Sequence, residues 1–138
     1  MASILRDGQH RRRTGALHAL EILFILPIIL GLVLGMVEFS LVLAADQQLA
    51  VASREGSRVA AQGGSPSEVE AATRFVLGSG KLGNNSLVVS QLSDVSGNPV
   101  SVTVTVPDAA TVVPNLLRFV GYNIRGKPLA SVSIMRRE

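Results

Sequence analysis

Residues 16–45 read ALHALEILFILPIILGLVLGMVEFSLVLAA, and this stretch decides the architecture of the chain. It holds 16 uncharged, nearly all aliphatic residues from Ile22 to Val37, and after Glu38 the apolar run continues over Phe39–Ala45. One helix over residues 16–45 would be about 45 Å long, enough to cross a hydrocarbon core of roughly 30 Å. We therefore predict a single N-terminal transmembrane helix.

The basic residues before this run predict its orientation. Arg11, Arg12 and Arg13 directly precede it, so the positive-inside rule places the N-terminus in the cytoplasm and the C-terminal part outside. Residues 1–15 hold four arginines against Asp7, which accounts for the net charge of +3 of the whole chain. The basic pI is thus a property of this leader and indicates no nucleic-acid-binding face. The alternative is a secretory signal peptide, but the run is long for one and Glu21 stands at its start.

Two glutamates flank the apolar run. A carboxylate inside a bilayer costs about 2.5–3.5 kcal/mol on insertion scales, so it should be paired or lie near an interface. In the simpler interpretation Glu21 and Glu38 mark the two edges of the span, roughly 25 Å apart along the helix. In the alternative, one of them neutralises a positive group on a partner.

Small residues recur along one face of the helix, which is predicted to continue beyond the membrane as far as Gly63-Gly64. Gly31 and Gly35 form a GxxxG pattern, and Ala52 and Gly56 extend the same stripe. Small side chains allow a second helix to approach closely, so the stripe is a candidate helix-packing surface. Apolar spans are rich in glycine and alanine in any case, and both interpretations stay open.

The remaining residues predict a small domain of helices and strands. Ser65-Pro66-Ser67-Glu68 is typical of a capping box that begins a helix, here ending near Leu77. Alternating apolar residues predict three strands, and Pro114 opens a predicted short helix. The predicted strands are Leu87–Leu92, Val100–Val106 and Leu129–Met135, the short helix is Asn115–Val120, and Asn84-Asn85 is a predicted turn.

The predicted fold class is therefore α+β. A long transmembrane and stalk helix precedes one or two helices and a three-stranded, mainly antiparallel sheet. We expect a cytoplasmic leader over residues 1–15, the transmembrane and stalk helix over 16–61, and an extracytoplasmic domain over 62–138. That domain is small enough that it is expected to use the stalk helix or a partner to complete its core.

The sequence of the exposed domain offers no residues for catalysis. The chain has no cysteine, and both histidines, His10 and His18, precede the apolar run. A catalytic triad, a thiolate nucleophile and a histidine-bound metal site are thereby excluded from residues 62–138. We predict a protein that is not an enzyme, with no cofactor, no metal site and no nucleic-acid partner.

Residues 11–61 combine a basic leader ending in Gly15, a glutamate shortly after it, an early proline, a Glu-Phe pair and an Arg-Glu-Gly-x-Arg block. The later features are Glu21, Pro27, Glu38-Phe39, and Arg54, Glu55, Gly56 and Arg58. Together these features resemble the TadE-like family, the pilin-like proteins of tight-adherence (Flp) pilus systems.

The resemblance implies a minor pilin or pseudopilin that acts in assembly of a Tad (Flp) type IV pilus, for adhesion or secretion. It also implies a bacterial cytoplasmic (inner) membrane location, with possible incorporation into a pilus. A prepilin peptidase would remove the leader at Gly15 or Ala16, and Glu21 would lie near the N-terminal amine of a neighbouring pilin-like subunit. Cleavage after Ala16, not Gly15, gives the glutamate the family's usual fifth position. The alternative function is a single-pass, membrane-anchored extracytoplasmic binding or regulatory module.

Overall fold

The computed structural model describes the backbone of residues 2–138 and the side chains of residues 18–138, and its architecture is α+β. A long helix comes first, then two shorter helices and a three-stranded sheet interrupted by two short 3-10 helices. In chain order these are α1 (Ala2–Ala61), α2 (Pro66–Leu77), α3 (Lys81–Asn85), β1 (Leu87–Gln91), β2 (Pro99–Val106), the 3-10 helices Ala109–Thr111 and Leu116–Val120, and β3 (Leu129–Arg136). The predicted fold class is confirmed.

Helix α1 contributes to two compact units, residues 1–36 and residues 37–138. From His18 onward it is long and apolar enough to cross a membrane once. In the first unit the large aliphatic side chains from Leu20 to Val33 are exposed. Pro27 lies inside the helix without ending it, although its missing N–H removes one main-chain hydrogen bond.

Helix α1 ends at the predicted glycine pair. Gly63 has a φ of +85°, which glycine adopts without a steric penalty. The amides of Gly63 and Gly64 donate to the carbonyls of Ala60 and Val59, at 3.1 and 3.0 Å. A Cβ on Gly64 would lie 2.9 Å from the Val59 carbonyl oxygen, so this turn requires glycine for close approach as well as for conformation.

The capping box of α2 is confirmed. The Ser65 hydroxyl accepts from the Glu68 amide, and the Glu68 carboxylate accepts from the Ser65 amide at 2.7 Å. This hydrogen bond from the Ser65 amide, reinforced by the Ser65 hydroxyl, lowers the pKa of Glu68 below its usual value.

Asn84-Asn85, predicted as a turn, instead closes the short helix α3. Because Gly83 packs directly against the Gly78 carbonyl, only a residue without a Cβ lets α3 form here.

The sheet has the order β1-β2-β3 and is antiparallel throughout. All three predicted strands are confirmed, each within one residue of its observed ends. The alternation in β2 divides its residues between two faces of the sheet. Val100, Val102, Val104 and Val106 are at most 1% exposed, while Ser101, Thr103 and Thr105 face the other side.

The core of the second unit needs the C-terminal part of α1. Ala45, Leu49 and Ala52 of α1 are buried with Val69 of α2 and the four valines of β2. Each fully buried valine or leucine contributes about 1.5–3 kcal/mol relative to exposure. The stalk part of α1 is therefore an integral layer of the domain, as the small size of the sheet predicts.

Candidate functional site

Glu21 lies among exposed aliphatic residues on the first part of α1. Its neighbours Ile22 and Leu23 are more than 60% exposed, and Phe24 is 74% exposed. Among the side chains described, residues 18–138, none forms a hydrogen bond or ion pair with Glu21. A carboxylate in such a setting needs a positive partner beyond these described side chains or a position near water.

Glu38 has a different environment, which the sequence did not reveal. It is only 2% exposed, and its Oε2 accepts a hydrogen bond from the Leu117 amide at 2.7 Å. Leu117 belongs to the 3-10 helix Leu116–Val120, whose N-cap Asn115 provides no side-chain hydrogen bond. Glu38 thus satisfies a free N–H at the start of that helix, while its Oε1 has no hydrogen-bond partner among the described residues.

This contact explains how the chain tolerates a carboxylate late in its apolar run. The 3-10 helix covers Glu38, and the amide near its start, which has no acceptor within the helix, and the positive end of the dipole favour a negative side chain. The role of Glu38 in assembly stays a prediction.

Replacing Glu38 with alanine is expected to loosen the Leu116–Val120 helix. The half-buried Leu117 amide would lose its acceptor, at a cost of about 1–3 kcal/mol, whereas Glu38→Gln keeps a carbonyl oxygen there and should cost less. Hydrogen exchange of the Leu117 amide in the detergent-solubilised full chain measures this directly, with exposed Gln47→Ala as the control. Equal exchange in the wild type and Glu38→Ala would show that the hydrogen bond does not form.

The Arg-Glu-Gly-x-Arg block divides between two faces of α1. On the inner face Gly56 lies against α2 and β2: a Cβ there would overlap Thr73 Oγ1 and lie 3.1 Å from Val102 Cγ1. Ser57 Oγ lies 2.9 Å from the carbonyl oxygens of Ser53 and Ser133, which joins α1 to β3. The glycine and the serine therefore fix the helix on the sheet.

The charged residues of the block face outward. Arg58 donates to Glu55 through two hydrogen bonds of 2.6 and 3.0 Å. In this stalk region, beyond the apolar run, the hydrogen bond from Arg58 lowers the pKa of Glu55, and Glu55 raises the pKa of Arg58. Arg54 is exposed and forms no ion pair within residues 18–138. The charged residues of the block therefore lie on the face of α1 away from the sheet.

The predicted helix-packing residues also divide into two pairs. Ala52 and Gly56 pack inside the second unit, where the chain's own strand and helix make the close approach that small residues permit. Gly31 belongs to the first unit, and a Cβ there would meet nothing within 4 Å. The predicted contact with a helix of another subunit therefore stays a prediction, and Gly31 and Gly35 are the residues to which it now applies.

Two further predictions concern the processing site and metal binding. The candidate processing residues Gly15 and Ala16 lie outside the residues whose side chains the structure describes. Over residues 18–138, no three His, Asp or Glu side chains come together in a way that could hold a metal ion.

Comparison with known proteins finds one family match, which lies within α1. Residues 19–58 match the model of a family described as TadE-like protein, from just before Glu21 to Arg58. No curated protein and no solved structure matches the chain. The resemblance seen in the sequence is thus confirmed for the part of α1 that holds both glutamates and the arginine block.

Proposed function

We propose, from the membership of residues 19–58 in the TadE-like protein family, that this chain is a minor pilin or pseudopilin. It acts in assembly of a Tad (Flp) type IV pilus, used for adhesion or secretion. The observation that carries the proposal is the match itself, which includes Glu21 on an exposed apolar helix.

The apolar surface of α1 supports this function. Large aliphatic side chains are exposed along the helix from Leu20 to Val33. Lipid or the apolar faces of other helices can cover such a surface, and an ammonium group in a helix bundle can neutralise Glu21. A pilin-like subunit passes from lipid into a helix bundle, so the exposed aliphatic surface and Glu21 both suit this function.

The proposed topology follows from the charge distribution. Residues 1–15 form a basic leader in the cytoplasm, α1 crosses the cytoplasmic membrane and continues as a stalk to residue 61, and residues 62–138 lie outside. The partners are the membrane, a prepilin peptidase that acts on the leader, and other pilin-like subunits that contact the N-terminal helix.

Leader removal is the first expected result of this proposal. In cells with a working prepilin peptidase, the mature protein should begin at Ala16 or Leu17, which intact-mass and N-terminal peptide mass spectrometry would determine. A strain without the peptidase is the matched control and should retain the leader. Protein that keeps the leader in both strains would favour the membrane-anchored binding or regulatory module instead.

A further inference from the structure

The segment of residues 114–127, which Glu38 contacts, combines exposed apolar and basic side chains. Phe119 and Val120 are each 57% exposed, and Tyr122 is 48% exposed. Arg118, Arg125 and Lys127 belong to the same segment. Aromatic and basic residues together are typical of protein surfaces at the headgroup level of a membrane.

The contact with Glu38 fixes where along α1 this segment lies. Leu117 donates to Glu38, and Phe119 follows Leu117 by two residues. The Cα atoms of Leu117 and Phe119 are therefore within about 7 Å of each other. Around Glu38, α1 still exposes apolar side chains at Val37, Phe39 and Leu41.

Helix length then places this contact near the outer boundary of the membrane. A span of about 20 residues that begins at Ile22 ends near Leu41, so Glu38 lies about one turn before its end. The headgroup layer on each side of the hydrocarbon core is roughly 5–8 Å thick. Phe119 is therefore within reach of this layer.

The charges of the segment suit lipid phosphates. Arg118 and Arg125 line an open polar pocket together with Asn115 and Asn123, and within residues 18–138 neither guanidinium is in an ion pair. The one carboxylate of the pocket lining, Asp108, already accepts hydrogen bonds from the amides of Ala110 and Gly126. Guanidinium groups bind phosphate oxygens in a bidentate manner.

We propose that residues 114–127 bind the outer surface of the membrane that α1 spans. Phe119, Val120 and Tyr122 enter the headgroup region, and Arg118 and Arg125 bind lipid phosphates. This inference rests on the membrane span of the proposed function but not on pilus assembly. It holds the small domain to the bilayer at a second place, beside the helix itself.

Tryptophan reporters test this inference cleanly, because the chain has no tryptophan and one tyrosine. The full chain with Phe119→Trp is placed in phosphatidylglycerol-containing vesicles whose lipids are brominated near the headgroup. Its emission should be largely quenched. Ile134→Trp is the matched control, because Ile134 is also exposed, at 68%, but lies far from Glu38. Its neighbour Ser133 contacts Ser57, and Ser57 lies about 28 Å beyond Glu38 along the helix. The emission of Ile134→Trp should be retained.

A reporter in the span separates failure of this inference from failure of the span. Phe24→Trp should be quenched by lipids brominated deep in the acyl chain. Quenching of Phe24→Trp without quenching of Phe119→Trp would overturn the membrane contact of residues 114–127 while leaving the span. If neither reporter is quenched, both the membrane contact and the span are overturned. Wild-type Tyr122 should show the same headgroup-level quenching without any substitution.

The role of the arginines has its own test. Arg118→Gln combined with Arg125→Gln should weaken the quenching of Phe119→Trp in phosphatidylglycerol vesicles. Unchanged quenching would overturn phosphate binding. Protection of Phe119→Trp from an aqueous quencher only when other pilus subunits are present would overturn the lipid assignment in favour of a protein contact.

Discussion

Exchanging Glu21 for glutamine is expected to lower the recovery of pilin-like partners from membranes by at least about tenfold, since tenfold corresponds to only 1.4 kcal/mol of lost interaction. Glu21 has no partner among the side chains of residues 18–138, so its charge is free to pair with an amine on another subunit. Membrane insertion should stay intact or improve, because an amide is cheaper to insert than a carboxylate.

The measurement is co-purification of pilus subunits from membranes, with the inserted amount scored separately. Asp46→Asn is the matched control, since this exposed carboxylate lies on the same helix beyond the apolar run and outside the arginine block. Gly35→Leu should also reduce partner recovery, by preventing close helix approach, and more strongly than Leu34→Ala. If Glu21→Gln and Gly35→Leu change only the inserted amount, the helix is a passive membrane anchor.

Replacing Gly56 is expected to give the largest loss of stability. Its position admits no Cβ, because Thr73 Oγ1 and Val102 Cγ1 occupy the space. Overpacking of this kind costs about 1–3 kcal/mol, although alanine returns up to about 1 kcal/mol in helix propensity. Gly56→Ala should therefore destabilise the full chain moderately and Gly56→Leu severely, whereas Gly31→Ala, which meets nothing within 4 Å, should not.

A double-mutant cycle identifies the atom responsible. Thr73→Ala removes the hydroxyl that a Cβ on Gly56 would overlap, and that hydroxyl otherwise donates only to the Val69 carbonyl of its own helix. Gly56→Ala should consequently cost less in the Thr73→Ala background, with a coupling of about 0.5–3 kcal/mol. Pulse proteolysis in detergent provides the unfolding free energies. Equal costs in both backgrounds would contradict the packing described for Gly56.

The sequence predicted those parts of the fold whose signals are local. The alternation of valines with serine and threonine identified β2, because the two faces of a strand have different surroundings. Ser65 and Glu68 identified the start of α2, because both halves of a capping box lie within one turn. The transmembrane helix was likewise predictable, because the apolar run and the arginines before it lie within about thirty consecutive residues.

Features that depend on long-range contacts were not predictable. Glu38 and Leu117 are 79 residues apart, and neither position carries a sign of the other. The small-residue stripe was compatible with close approach of another element to α1. It could not show that, at Ala52 and Gly56, the chain's own sheet and α2 do so. Helix α3 was missed because its two asparagines favour turns and because the close approach of Gly83 to the Gly78 carbonyl has no signal in the sequence.

The central claim is that the helix around Glu21 lies among other pilin-like helices, and photo-crosslinking in cells tests it most directly. A benzophenone side chain would replace Phe24, which is 74% exposed and lies one turn after Glu21 on the same face. In cells with a complete Tad system, illumination should link the chain to other pilin-like subunits, and Glu21→Gln should remove these products. Inserted protein that forms only lipid adducts, with or without Glu21, would contradict the account.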